Sequence, residues 1–120
     1  MSTIVKETIY VDGNKKAMYP FEVHSIASVG SNFEGCKCVY IYSKKTNEIY
    51  EHLYVGQTEN LARRFKEHET GDTESDKCIQ KSGATHILVN NFECEDKRKA
   101  VESEILTSNP CLFKCNIQRR

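Results

Sequence analysis

The chain has 120 residues, a length that fits one domain with one modest core. Its 17 lysine and arginine residues balance its 17 aspartate and glutamate residues, so the formal net charge is zero with neutral histidine. This balance excludes a polybasic protein that grips nucleic acid by bulk electrostatics, and the 38% hydrophobic content excludes a disordered chain.

The first third of the chain carries the weakest pattern. Residues 8–11 are typical of a strand that enters a tight turn at 12–13, because Asp-Gly is a common hairpin turn. The apolar positions within 21–26 indicate a returning strand. We therefore expect residues 1–33 to form a hairpin-like extension that packs on a domain formed by 34–120.

A clearer hairpin follows in the sequence. Residues 39–42 are β-branched or aromatic, residues 44–48 are polar, and residues 49–55 are strand-like again. This pattern predicts two strands joined by a long loop. A third core strand is predicted at 85–89, where apolar residues dominate.

Three helices are predicted around these strands. The first spans 61–70, with Asn60 as its N-cap and Gly71 as the residue that ends it. A short helix at 74–81 and a longer one at 95–108 follow. The predicted fold is α/β: a small sandwich whose central antiparallel three-stranded sheet is flanked by helices, with the amino-terminal hairpin added.

The state of the six cysteines depends on the cellular compartment, which determines whether thiols are reduced or form disulfide bonds. The amino terminus does not resemble a secretory signal and no apolar run reaches ~18 residues, so we expect a cytoplasmic protein, nuclear in a eukaryote, with free thiols. Cys36 with Cys38, and Cys111 with Cys115, form two closely spaced pairs. A zinc-stapled interaction domain is the alternative interpretation of these pairs.

The first predicted helix places two charged side chains beside its buried stripe. At about 100° per residue, Leu61 and Phe65 define the buried side, and Arg64 and His68 lie next to them. Such a pair bridges buried acids or lines a cleft. The simpler alternative is a snorkelling arginine with a hydrogen-bonded core histidine.

The order of these residues resembles the GIY-YIG nuclease family. In that family a G-I-Y strand is followed by a Y-I-G strand, a helix with arginine and often histidine, a later helix with glutamate, and a terminal asparagine. The matches in chain order are Val39-Tyr40, Tyr54-Val55-Gly56, Arg64, His68, Glu104 and Asn116. Cys38 stands where the pattern has its first glycine. The resemblance implies a catalytic domain of this family, whose members commonly carry a separate DNA-binding module. No DNA-reading motif is visible in this sequence, so we expect a compact catalytic domain without an appended module.

The same resemblance implies metal-assisted hydrolysis of DNA phosphodiester bonds. It assigns one Mg2+ or Mn2+ ion to Glu104, while helix geometry leaves Glu102 as an equal rival for this ligand. Tyr40 would take a proton from the attacking water, and Tyr54 would line the same pocket. Arg64 would clamp the phosphate through its planar, permanently charged guanidinium.

Other residues are assigned to the site and its substrate. His68 would hydrogen-bond a tyrosine or the leaving oxygen, and Asn116 would tie the tail back to the site. Gly56 would allow close approach to the backbone. Lys44 and Lys45 are candidate phosphate contacts in the predicted hairpin loop.

The net charge of zero limits how tightly the chain can bind DNA. A neutral chain holds DNA weakly, so we expect double-stranded or branched DNA presented by a targeting protein or by a homodimer, with RNA as a further possible substrate and no membrane partner. The alternative from another functional class is a non-catalytic nucleic-acid-binding or scaffold module that keeps the same fold.

Overall fold

A computed structural model describes residues 5–11, 17–109 and 111–117 of the chain. The strands are β1 Val5–Val11, β2 Ala17–Ser25, β3 Cys38–Thr46, β4 Ile49–Thr58 and β5 His86–Asn91. The α-helices are α1 Leu61–Thr70, α2 Glu74–Ser82 and α3 Glu95–Ser108, and short 3-10 helices span Ile26–Ser28 and Ser31–Phe33. The Asp-Gly turn predicted at 12–13 lies outside the described residues.

The five strands form one antiparallel sheet in the order β1, β2, β5, β3, β4. Val23 of β2 pairs with Leu88 of β5, more than 60 residues further along the chain. The prediction of a three-stranded sheet is therefore wrong, because the amino-terminal strands extend the same sheet. Strands usually pair with their neighbours in the sequence, so the sequence around β2 contains no local pattern that predicts its pairing with β5. The division into 1–33 and 34–120 stays a prediction.

The central hairpin is tighter than predicted. Only Asn47 and Glu48 separate β3 from β4, and Asn47 has a φ of 57°, the left-handed conformation that two-residue hairpin turns favour. Lys44 and Lys45 therefore lie in β3. The long loop predicted over residues 44–48 is wrong, since its polar residues continue the strand beyond the core.

Helices cover both faces of the sheet, and alternate residues of β3 enter the two cores. The core on the α3 side contains Val39, Ile41, Val55, Leu88, Val101 and Ile105. The core on the α1 and α2 side contains Tyr40, Tyr42, Leu53, Leu61, Ile79 and Ile87. Tyr40 therefore faces α1 from within the sheet.

The three predicted helices are confirmed. Asn60 caps α1 by accepting the Arg63 backbone N–H, which satisfies one of the free donors at the helix start. α2 ends at Gly83, whose φ of 75° is left-handed. In the part of the chain that the structure describes, every helix is too short or too polar to cross a membrane.

Candidate active site

Buried hydrogen bonds join β3, α1 and α2. The Tyr40 hydroxyl oxygen lies 2.7 Å from His68 Nε2, and His68 Nδ1 lies 2.8 Å from Asp76 Oδ1. Tyr40 and His68 are each 1% exposed, and Asp76 is 6% exposed. We call these three side chains the Tyr-His-Asp chain.

The protonation of the Tyr-His-Asp chain follows from its surroundings. Burial lowers the pKa of His68, so the imidazole is neutral at neutral pH and carries one ring hydrogen. Burial opposes ionisation of Asp76, but hydrogen bonds from His68 and Thr73 lower the pKa of this carboxyl overall. An ionised carboxylate only accepts, so His68 donates from Nδ1 and its Nε2 accepts from the Tyr40 hydroxyl.

Two glycines make room for the Tyr-His-Asp chain. Gly56 pairs with Tyr40 across β3 and β4, and a Cβ atom at residue 56 would lie 2.6 Å from the Tyr40 hydroxyl oxygen. Gly71 follows α1, where a Cβ atom would collide with the Asp76 carboxylate. The φ of Gly71 is −76°, so this position needs glycine for space and not for a left-handed cap.

Contacts between α1 and α2 hold the acid in place. The side-chain amide of Gln80 donates to the backbone oxygens of His68 at 2.7 Å and Gly71 at 3.0 Å. Thr73 caps α2 by accepting the Asp76 backbone N–H at 3.0 Å. The first turn of α2 thus presents Asp76 to the end of α1.

Arg64 lies next to the Tyr-His-Asp chain. Its side chain is 35% exposed, and its Nη1 donates to Glu67 Oε1 at 3.0 Å. Burial raises the pKa of Tyr40 well above its ordinary value, and the Arg64 charge opposes this shift only in part. Burial likewise raises the pKa of Tyr54, again against Arg64. Both phenols are therefore protonated at neutral pH.

Glu102 is the carboxylate of α3 whose charge acts on this site. Its charge interacts with Arg64 and with Tyr54, and burial raises its pKa. Among the described residues, the Glu102 carboxylate has no hydrogen-bond or ion-pair partner. Glu102 is thus a half-buried acid beside an arginine, with its oxygens unused.

Glu104 lies elsewhere. Its Oε1 accepts a 2.7 Å hydrogen bond from the Tyr19 hydroxyl on β2. Two residues apart on an α-helix, the side chains of Glu102 and Glu104 point about 200° apart, so they do not share a site. Glu104 as the metal ligand therefore stays a prediction, while its rival Glu102 is the carboxylate of α3 whose charge interacts with Arg64.

Asn116 lies against the outer edge of β4. Its side-chain oxygen accepts the Val55 backbone N–H at 2.8 Å, and its amide nitrogen donates to the Val55 oxygen at 2.9 Å. The Cys115 backbone N–H donates to the Leu53 oxygen at 2.8 Å. The tail thereby pairs with the strand that carries Tyr54 and covers part of an open sheet edge.

Cys78 and Cys115 form a disulfide bond between α2 and this tail. The prediction of six free thiols is wrong for this pair, because the tail folds back along β4 and brings the two Cα atoms to 5.4 Å. Cys36, Cys38, Cys94 and Cys111 are free. The zinc alternative loses Cys115, and the described residues contain no cluster of three or more histidine, cysteine or acidic side chains that fits a metal.

Lys44 and Lys45 lie toward the far end of the hairpin from Tyr40. They are four and five residues further along β3, about 13–17 Å at the rise of a strand. Lys45 Nζ lies 5.5 Å from the centre of the Tyr50 ring. The structure does not bring these two lysines to the Tyr-His-Asp chain, and their contact with substrate stays a prediction.

Asp76 is the site residue that the sequence pattern did not reveal. It follows Thr73 by three residues, a spacing that is typical of an ordinary helix start. The feature of the sequence that could have revealed Asp76 was His68. A histidine on the buried side of α1 needs a hydrogen-bond partner, and the carboxylate of Asp76 on α2 can accept that hydrogen bond.

The comparison with known families covers most of this region. A family model described as the GIY-YIG catalytic domain matches residues 36–110, more than half of the chain. No curated protein and no solved structure matches the chain. The matched range contains every member of the Tyr-His-Asp chain, as well as Arg64 and Glu102.

Proposed function

The chain belongs to the GIY-YIG family, whose members are generally nucleases, and we propose that it is an endonuclease that hydrolyses phosphodiester bonds in DNA. The observation that carries this proposal is the set of groups around Arg64. The Tyr-His-Asp chain supplies a phenol with a proton path, and Glu102 supplies a free carboxylate. A fixed cation, a proton acceptor and a metal ligand are what phosphodiester hydrolysis requires.

Glu102 is the residue that we assign to the metal. Nucleases of this family generally depend on a divalent metal. A half-buried carboxylate without a hydrogen-bond or ion-pair partner fits the role, because burial makes its charge costly and the charge of Arg64 offsets that cost only in part. One carboxylate together with water molecules suits Mg2+ or Mn2+. When bound, such an ion would stabilise negative charge on the phosphate as a Lewis acid.

Arg64 is the phosphate clamp in this proposal. Its guanidinium already binds the Glu67 carboxylate through a 3.0 Å hydrogen bond. Phosphate oxygens offer the same fork geometry as a carboxylate, so a substrate phosphate can displace Glu67 or share the guanidinium with it. The neighbouring Arg63 is 54% exposed and lies 3.7 Å from the same Glu67 side chain. Arg63 therefore provides a matched control for Arg64.

Tyr40 is the group that we assign to the proton of the attacking water. Tyr40 is 1% exposed, so the DNA backbone does not reach it, and the proposal requires the attacking water to enter beside its hydroxyl. Tyr54 is half-buried, with its ring centre 6.2 Å from that of Tyr40, and lines the approach. Because its pKa is raised, Tyr40 accepts a proton only when it gives up its own at the same time.

The charge of the chain limits how it meets DNA. The formal net charge is zero, so the non-specific electrostatic grip on a duplex is weak. We therefore propose that double-stranded or branched DNA is presented by a targeting protein or held by two copies of the chain.

A nicking assay tests the proposed function. Supercoiled plasmid and branched DNA are incubated with the native protein and Mg2+ or Mn2+, with and without a chelator. We expect metal-dependent cleavage that falls by ~100-fold or more in Arg64→Ala and by less than threefold in Arg63→Ala, since loss of one transition-state charge contact is costly. Absence of cleavage by the native protein under all conditions, or equal rates for the two variants, would overturn the proposal.

A further inference from the structure

We propose that Asp76 is a positioning residue of this site, which holds His68 in the tautomer that can take a proton from Tyr40. The inference rests on the proposed nuclease function and adds the path by which Tyr40 loses its proton. The observation behind it is the unbroken pair of buried hydrogen bonds, 2.7 Å from Tyr40 to His68 and 2.8 Å from His68 to Asp76.

This path balances the protons of the hydrolysis. As the water oxygen forms its bond to phosphorus, one water proton passes to the Tyr40 oxygen and the original Tyr40 proton passes to His68 Nε2. The bond from phosphorus to the leaving oxygen breaks, and that oxygen takes a proton from solvent. His68 is fully buried, so its extra proton returns from Nε2 to the Tyr40 oxygen, which in turn passes a proton to a water molecule that enters the site. Tyr40 thus transfers a proton without ever existing as a free phenolate, which its burial disfavours.

The tautomer decides whether the path works. Neutral histidine carries its hydrogen on one ring nitrogen, and the hydrogen bond at the other nitrogen selects which. Because the Asp76 carboxylate accepts at Nδ1, the lone pair of Nε2 faces the Tyr40 hydroxyl. In the opposite tautomer an N–H group would face Tyr40 and the transfer would stop. Asp76 also stabilises the imidazolium that forms when His68 takes the proton.

The surroundings of Asp76 fix its position from several directions. Thr73 binds its backbone N–H, and Gly71 leaves the space that its carboxylate occupies. Gln80 ties the last turn of α1, which carries His68, to α2. The carboxylate and the imidazole are therefore held together by contacts that do not depend on their own hydrogen bond.

Other groups around His68 set its response to pH. The titratable or charged groups that face it are Tyr40 and Tyr42 on β3, Tyr54 on β4, Arg64 and Glu67 on α1, and Asp76 on α2. Arg64 disfavours an imidazolium, whereas Asp76 and Glu67 favour it. Within the described residues, Asp76 is the anion in direct hydrogen-bond contact with His68.

The first test compares Asp76→Asn with Asp72→Asn, which makes the same change in charge at an exposed position. The asparagine amide donates a hydrogen bond to Nδ1, so it favours the wrong tautomer of His68. We expect the nicking rate of Asp76→Asn to fall by about 10^2–10^4-fold, with its affinity for DNA within threefold of native. Asp72→Asn should cleave at the native rate.

The second test reads the tautomer itself by 15N NMR of the His68 ring, which remains informative if Asp76→Asn does not fold. The native protein at neutral pH should show a hydrogen on Nδ1 and none on Nε2. A native hydrogen on Nε2, or native-rate cleavage by folded Asp76→Asn, overturns the role of Asp76 and leaves the proposed function standing. Failure of the native protein to cleave any DNA overturns the proposed function and this role with it.

Discussion

Gly56 lies directly opposite Tyr40 in the ladder between β3 and β4, and the Tyr40 hydroxyl occupies the space beside it. A Cβ atom at residue 56 would lie 2.6 Å from that hydroxyl oxygen, closer than real Cβ contacts. The same hydroxyl donates to His68. Any side chain at residue 56 must therefore push Tyr40 away from its proton acceptor.

Replacement of Gly56 by alanine should damage both the site and the fold. Overpacking of this kind usually costs about 1–3 kcal/mol of unfolding free energy. We expect urea unfolding to show this decrease in the free energy of unfolding. The nicking rate should fall by ~100-fold or more, because a small misplacement of a catalytic group slows the reaction strongly. Gly30→Ala is the control, since its nearest non-neighbour atom would lie 3.8 Å away. Equal stability and rate for the two variants would disprove the tight contact.

The disulfide between Cys78 and Cys115 should support the stability of the fold. It closes a segment with a sequence separation of 37, for which the chain-entropy relation gives about 3–4 kcal/mol. Reduction should lower the Tm by roughly 10–20 °C in a chain of this size. The measurement is thermal unfolding with and without a thiol reductant.

A variant separates this bond from other effects of the reductant. Cys78→Ser combined with Cys115→Ser should unfold at the Tm of the reduced native protein and should not respond to reductant. Cys111→Ser removes an exposed free thiol and should behave like the native chain. An unchanged Tm after complete reduction of the native protein would contradict a stabilising role.

His68 should make stability depend on pH. Burial lowers its pKa in the folded protein below the ordinary 6.5, so the unfolded chain binds more protons between the two values. The folded state therefore loses stability as the pH falls below about 6.5, and the penalty disappears above that value. The pKa of Asp76 is also lowered in the folded protein, so protonation of Asp76 reduces the stability only at more acidic pH.

Comparison with His68→Gln isolates this effect, because the other titrating groups largely cancel. Urea unfolding from pH ~7.5 to ~5.5 should show the native protein losing stability relative to the variant, by at most about 1.4 kcal/mol per pH unit. A difference that stays constant over this range would show that His68 remains as easily protonated in the folded state as in the unfolded chain.

The local parts of the fold were predictable from sequence. Asn60 as a cap, the helices that follow it, and the two strands that flank Asn47 all depend on neighbouring residues. The inward side of α1 was also predictable, since Arg64 and His68 follow its buried stripe. The placement of Arg64 and His68 on the side of α1 that faces the sheet therefore followed from helix periodicity alone.

The parts that escaped prediction depend on segments far apart in the chain. The pairing of β2 with β5, and the approach of Cys115 to Cys78, require the completed sheet and the returning tail. Glu102 and Glu104 lie at similar angles from the buried stripe of α3. Only their surroundings distinguish them. Glu102 interacts with the charge of Arg64, whereas Glu104 accepts a hydrogen bond from Tyr19.

This difference between Glu102 and Glu104 gives a direct test of the proposal that Glu102 serves a metal-dependent nuclease site. Glu102→Gln and Glu104→Gln make the same change two residues apart on α3, and cleavage of supercoiled plasmid is measured over a Mg2+ titration. We predict that Glu102→Gln loses ~100-fold or more of the metal-dependent rate, while Glu104→Gln cleaves within about threefold of native. Loss of cleavage in Glu104→Gln with native cleavage in Glu102→Gln would contradict this site.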